Sequence, residues 1–232
     1  MDNLTTWFAL GTLGMFVGTL ALAYGYRLIP EENYGRYSIL VAVPAIAVGA
    51  YALMALGFGA VETQRGNTVF LWRYVDWLLT TPLHVLYLGL LAGAAMGTIY
   101  RSIGLMAATI VLGFAGAIAA PPLKWPLFLA GSTTFAGVVY YAYYDFDDAA
   151  AAGDDQTLGV FRKLRAFLVV LWLLYPVIWL LAPIGFGFMN LGTTALVISY
   201  LDVVAKVGFG LIALSGLLAF STAAAGSEAP AD

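Results

Sequence analysis

The chain contains no cysteine and a single histidine, and only 10% of its 232 residues are charged. The missing cysteines exclude disulfides, thiol catalysis and thiolate metal sites. One histidine excludes a multi-histidine metal centre. A soluble domain usually has about 25% charged residues, so the shortage of charge says that most of this surface faces something other than water. What replaces it is apolar: 62% of residues are hydrophobic and the mean hydropathy is +0.90. A lipid bilayer is the solvent that fits. The net charge of −3 and pI near 5.0 argue against nucleic acid as a partner. The N-terminus lacks the basic region of a cleaved signal peptide, so the first apolar segment reads as a retained helix.

A spanning helix needs roughly 20 mostly apolar residues. Seven segments qualify: 4–26, 38–58, 69–92, 103–120, 122–144, 164–183 and 192–221. The breaks are Arg27 to Arg36, Gly59 to Asn67, Tyr100-Arg101-Ser102, Pro121-Pro122, the acidic stretch Asp145 to Gln156, and Pro183 to Gly192. With the N-terminus outside, cytoplasmic loops hold Arg27, Arg36, Arg101, Arg162, Lys163 and Arg165, against Arg65 and Lys124 outside. That asymmetry follows the positive-inside rule. The reading is an all-α, multi-pass cell-membrane protein: a seven-transmembrane-helix bundle over 1–222, N-terminus outside, C-terminus cytoplasmic, with a disordered cytoplasmic tail over 223–232. A soluble helical bundle is disfavoured, because these segments have no polar face to show to water.

Of thirteen carboxylates, eleven fall in loops or tails and only Asp76 and Asp202 lie deep within helices. With Arg73 and Lys206 they form an intramembrane set that sums to zero. A charge at mid-membrane costs roughly 2.5–3.5 kcal/mol on insertion scales, and such residues usually pair and mark function. Asp202 and Lys206 are four apart and share one helix face. Arg73 precedes Asp76 by three, and Thr80 can hydrogen-bond Asp76 from one turn further on. One reading is a charge cluster that fixes helix packing. The other starts from the poor structural value of a lone buried lysine. Desolvation favours its neutral amine, which makes it a good Schiff-base former, and the two carboxylates then supply counter-charge. Trp77, Trp172, Tyr175 and Trp179 sit on the third and sixth helices, with Tyr51 and Tyr74 as candidates near the carboxylates. Ordinary packing explains most membrane aromatics singly; together beside the charges they suit a flat conjugated ligand.

The third helix, Arg73-Tyr74-Val75-Asp76-Trp77-Leu78-Leu79-Thr80-Thr81-Pro82, closely resembles the motif of archaeal microbial rhodopsins. Trp172-Leu173-Leu174-Tyr175-Pro176 and Leu201-Asp202-Val203-Val204-Ala205-Lys206-Val207-Gly208-Phe209-Gly210 resemble their sixth and seventh helices. The resemblance covers nearly the whole chain. It implies retinal bound as a protonated Schiff base on Lys206, Asp76 as primary counterion and proton acceptor, Asp202 as second counterion and Arg73 as a switch toward the outside. It also implies a pocket lined by Trp77, Thr81, Phe128, Gly131, Trp172, Tyr175, Pro176 and Trp179.

Within that family, proton pumps carry an inner carboxylate where this chain has Tyr87, a phenol with a reference pKa near 10. Reprotonation is therefore expected to be slow, which suits a receptor. Ile184 and Thr194 stand where pumps carry glutamates for proton release. Val17-Gly18-Thr19-Leu20-Ala21, Met54-Ala55-Leu56-Gly57 and Gly113-Phe114-Ala115-Gly116-Ala117 are similar to the sensory rhodopsin II branch. That similarity implies phototaxis-type signalling through a transmembrane transducer protein contacting Tyr200 and Asn190, and a homo-oligomer remains open. Ala205 departs from the branch, which usually has threonine there; pumps have alanine, and the mixture resembles the group called middle rhodopsins. The alternative function is a light-driven outward proton pump. His84, eight residues beyond Asp76, is either hydrogen-bonded filler or a colour-tuning group whose replacement by leucine red-shifts the band.

Overall fold

The computed structural model describes residues 3–227; Met1, Asp2 and 228–232, the end of the expected tail, lie outside the described residues. The chain forms α1 (Asn3–Gly25), α2 (Tyr34–Ala55), a hairpin of β1 (Ala60–Glu62) and β2 (Thr68–Phe70), α3 (Leu71–Leu91), α4 (Met96–Ile118), α5 (Lys124–Tyr143), α6 (Asp145–Ala151), α7 (Asp155–Leu181), α8 (Leu191–Val203), a π turn (Val204–Gly208) and α9 (Phe209–Ser227). The seven long rods are α1 to α5, α7 and the composite α8–π–α9. The last rod runs through residues 223–227, which the composition had assigned to the tail.

Five rods are long and apolar enough to cross a membrane on composition alone. The other two, α3 and α5, carry polar groups into the bundle: Arg73, Asp76 and His84 on α3, Lys124 on α5. The rods close into a ring in chain order, with α1 packed on both α2 and α8 and α7 packed on α9.

Three boundaries differ from the sequence reading. Tyr100-Arg101-Ser102 lies inside α4, and the real break is at Gly93, whose positive φ of 69° turns the chain between α3 and α4. Arg162, Lys163 and Arg165 lie on the first turns of α7, where Asp154 caps the helix by accepting a hydrogen bond from the Thr157 amide. The break after α2 is built rather than loose: a hairpin pairs Ala60 with Phe70, Val61 with Val69 and Glu62 with Thr68. Val69 and Phe70 are buried, and the strand feeds directly into α3, so the hairpin sets where Arg73 enters the bundle.

Lipid tails are as apolar as leucine, so helices associate in a bilayer through close packing of small residues. Gly11 and Gly18 on α1 serve that purpose. A Cβ on Gly11 would lie 2.5 Å from the Tyr51 ring, and one on Gly18 would lie 2.2 Å from Val207 Cγ2. The inner half of the bundle is an apolar cluster including Tyr37, Leu40, Tyr87, Leu88, Leu168 and Phe209.

Candidate functional site

Lys206 sits in the π turn and is buried. Single π turns inside α-helices are frequent at functional sites. Its Nζ lies 2.8 Å from Asp76 Oδ2 on α3 and 3.6 Å from Asp202 Oδ2 one turn back. The two carboxylates are held differently. Asp202 accepts from Tyr51 Oη at 2.6 Å, from Tyr175 Oη at 2.6 Å and from Trp77 Nε1 at 3.1 and 3.2 Å. Apart from the bond from Lys206 Nζ to its Oδ2, the Asp76 carboxylate accepts among the described residues only a long bond from Thr80 Oγ1, at 3.4 Å, because that hydroxyl donates mainly to the Asp76 carbonyl, at 2.8 Å. Three donors therefore fix Asp202, while Asp76 Oδ2 faces Lys206.

Arg73 is buried but makes no ion pair among the described residues. Its guanidinium lies over Phe70 and Phe8, at 5.3 and 5.7 Å from the ring centroids, and its Nε and Nη2 have no hydrogen-bond partner. The four charges thus share one neighbourhood without all touching. The expected pairing along one α3 face gives way to cation–π contact, since the hairpin and α1 put two rings at the guanidinium.

Lys206 opens onto a cavity of about 150 Å³. Its walls include every residue expected to line a pocket: Trp77 and Thr81 on α3, Phe128 and Gly131 on α5, and Trp172, Tyr175, Pro176 and Trp179 on α7. Phe128 stacks on Trp179 with centroids 4.6 Å apart and an interplanar angle of 26°, and Trp77 meets Tyr175 edge-on at 5.1 Å. His84 and Arg73 also line it. Tyr74 does too, but it packs against Trp77 and Phe114 and has no carboxylate partner among the described residues, unlike Tyr51, with which the sequence had grouped it near the carboxylates. Asp76, Thr80 and Tyr51 stand behind the wall.

The sequence reading missed the far end of the cavity. Met106 and Thr109 on α4, and Ser132 and Phe135 on α5, complete it. No charge or aromatic motif marks them; they become wall because α4 and α5 approach closely at Gly131, where an added Cβ would lie 3.4 Å from Leu112 Cβ. Lys124, assigned to an outside loop, is instead 2% exposed, and its Nζ donates to the Ile184 carbonyl. Ile184 and Thr194 both line the outer end of the cavity. Tyr200 and Asn190 are brought to neither the cavity nor each other. Tyr200 is 67% exposed on the side of α8. Asn190 Oδ1 caps α8 by accepting from the Thr193 amide, ten residues and about 15 Å away along the axis.

Residues 2–220 match the model of a family described as "Bacteriorhodopsin-like protein". The chain is 50% identical to "Sensory rhodopsin-2" of Haloarcula vallismortis over 231 residues, 99% of this chain and 98% of that one. It is 42% identical to "Sensory rhodopsin-2" of Natronomonas pharaonis, over 92% of this chain and 89% of the relative. Its fold is similar to that of the thermophilic rhodopsin from Rubrobacter xylanophilus, with a TM-score of 0.89, 32% identity, and coverage of 93% of this chain and 97% of that one.

Proposed function

The chain belongs to the bacteriorhodopsin-like proteins, and from that premise we propose that it is a sensory rhodopsin II-like photoreceptor that binds retinal on Lys206 and recovers slowly after light. It is a multi-pass membrane protein, a photoreceptor and not an enzyme. The observation that carries the reading is Lys206 Nζ, 2.8 Å from Asp76 Oδ2, in the wall of a buried aromatic cavity. The donor set suits the group: one amine, two carboxylates for its positive charge, and three tryptophans with Phe128 along an apolar slot. Retinal joined to Nζ as an imine supplies light-driven isomerisation.

The residues then divide the proton work. Asp76 Oδ2 is the acceptor for the proton on Lys206 Nζ, since it faces that atom with a lone pair no other donor uses. Asp202 is the fixed countercharge, because Tyr51, Tyr175 and Trp77 already occupy its oxygens. Arg73, with two nitrogens unpartnered, is the cation that can reorient when Asp76 is neutralised. Inward of Lys206 the path is poor in donors. The stretches of α3 beyond Asp76 and of α9 beyond Lys206 hold no carboxylate among the described residues. Tyr87 is buried edge-on to Phe209. Asp147 at the cytoplasmic end is engaged by Arg162 and Arg165, whose hydrogen bonds and charges hold its carboxyl below the usual value.

Transducer contact is part of the proposal. Tyr200 supports it, being a large side chain left exposed on a spanning helix, whereas the Asn190 side chain is already used as a cap. A second reading, an outward proton pump, draws on Ala205: with no hydroxyl at that position, the Tyr175 hydroxyl donates to Asp202.

Flash photolysis of the protein reconstituted with all-trans retinal tests the choice. Slow return of the visible band, accelerated by azide as an external proton donor, is expected for the receptor. Fast, azide-insensitive return favours the pump, and absence of a visible band overturns the assignment of retinal to Lys206.

A further inference from the structure

His84 is the chain's single histidine and is 2% exposed. Its ring lies perpendicular to Phe209 at 4.8 Å between centroids and edge-on to Trp172 at 6.1 Å. Neither Nδ1 nor Nε2 has a hydrogen-bond partner among the described residues. Buried polar groups are nearly always paired, and an unpaired one costs stability. Leucine would fill this space without that cost, so two orphaned nitrogens point to bonds formed with something the protein itself does not supply.

The position says what that is. His84 lines the same cavity as Lys206. It lies eight residues beyond Asp76 on α3, about 12 Å further toward the cytoplasm, while Lys206 Nζ lies at Asp76. Phe209 touches both the His84 ring and the Tyr87 ring, the latter at 5.5 Å. Lys206, His84 and Tyr87 therefore form a column along the inner half of the bundle. Among the described residues, α3 and the π turn bring these three titratable groups to that column, α2 brings Tyr37 and Arg36 to its Tyr87 end, and α7 presents Trp172.

We infer that His84 is the proton relay that returns a proton to the Lys206 nitrogen from the cytoplasmic side. The inference rests on the photoreceptor reading above. A hydronium ion admitted from the cytoplasm leaves its proton on one ring nitrogen, and the other ring nitrogen releases its proton, through water in the cavity, to the Lys206 nitrogen. The ring ends neutral with its tautomer exchanged, and one positive charge has moved from the hydronium to Lys206. Imidazole can do this because one nitrogen accepts while the other donates. The relay uses no carboxylate, which fits a column that contains none.

The test uses the full chain with retinal: wild type, His84→Leu and His84→Gln, following return of the visible band after a flash, with and without added imidazole. A positioned acid–base group contributes typically ~10²-fold or more. Both variants are expected to recover about 100-fold more slowly, and imidazole is expected to restore both. Glutamine keeps a polar group but cannot pass a proton. Wild-type recovery in His84→Gln with a shifted band in His84→Leu would make the residue a colour-tuning group and overturn the relay. Wild-type recovery in both, or slowing that imidazole does not relieve, would overturn it in favour of packing. A wild-type protein with no visible band would overturn the photoreceptor reading, and the relay with it.

Discussion

At the scale of single residues, the two buried aspartates show that chemistry follows hydrogen-bond supply more than residue type. Both lie within 3.6 Å of Lys206 Nζ, yet besides that amine one has three donors and the other one long bond. The same logic governs the inward path. Tyr87 occupies the depth where a proton donor would serve Lys206, in an apolar cluster with Phe209 and Leu88. Tyr87→Asp is expected to speed recovery of the visible band by roughly 100-fold, the usual size of a positioned acid, and to make it insensitive to azide. Flash photolysis of the variant checks this; unchanged kinetics would show that reprotonation does not limit the cycle.

The elements contribute precision of placement. Helix α1 holds no charge and no chemistry, but its glycines let two site-bearing segments come close: Gly11 receives the Tyr51 ring that bonds Asp202, and Gly18 receives Val207 beside Lys206. A Cβ at Gly18 would lie 2.2 Å from Val207 Cγ2, so α1 and the π turn must separate. Overpacking of this kind costs typically 1–3 kcal/mol. Gly18→Ala is expected to lower thermal stability by about that amount and to shift the visible band. Gly49→Ala, whose Cβ meets open space, is expected to leave both unchanged. Thermal denaturation followed at the visible maximum compares the two. Equal behaviour would mean that the α1 contact yields without strain.

For the whole molecule, orientation decides which side supplies and which side receives protons. The distribution of arginine and lysine puts the hairpin outside and the α6–α7 corner inside. The absence of native cysteine makes this directly measurable. Gln64 in the hairpin turn and Gln156 at the start of α7 are both exposed. In intact cells, Gln64→Cys is expected to react with a membrane-impermeant maleimide and Gln156→Cys only after lysis. The reverse pattern would invert the bundle and the roles of Asp76 and His84 with it.

The spans and the ion set were legible in the sequence because their causes are local. Length and hydropathy define a rod, and a charge inside one stands out against its apolar neighbours. Asp202 and Lys206 share a face by spacing alone, and the Trp172, Tyr175 and Trp179 stripe is a matter of helical period. What the tertiary structure decided depends on contacts between segments far apart in the chain. The α4 side of the cavity exists because Gly131 lets α5 approach α4. Asp202 acquires three donors from α2, α3 and α7, and Arg73 finds rings from α1 and the hairpin in place of a carboxylate. Lys124 is buried because the segment after α7 folds over it, and the His84 nitrogens have no hydrogen-bond partner among the described residues where the Phe209 and Trp172 rings face the imidazole. Hydropathy and period are properties of one segment; hydrogen-bond supply is a property of the packed bundle.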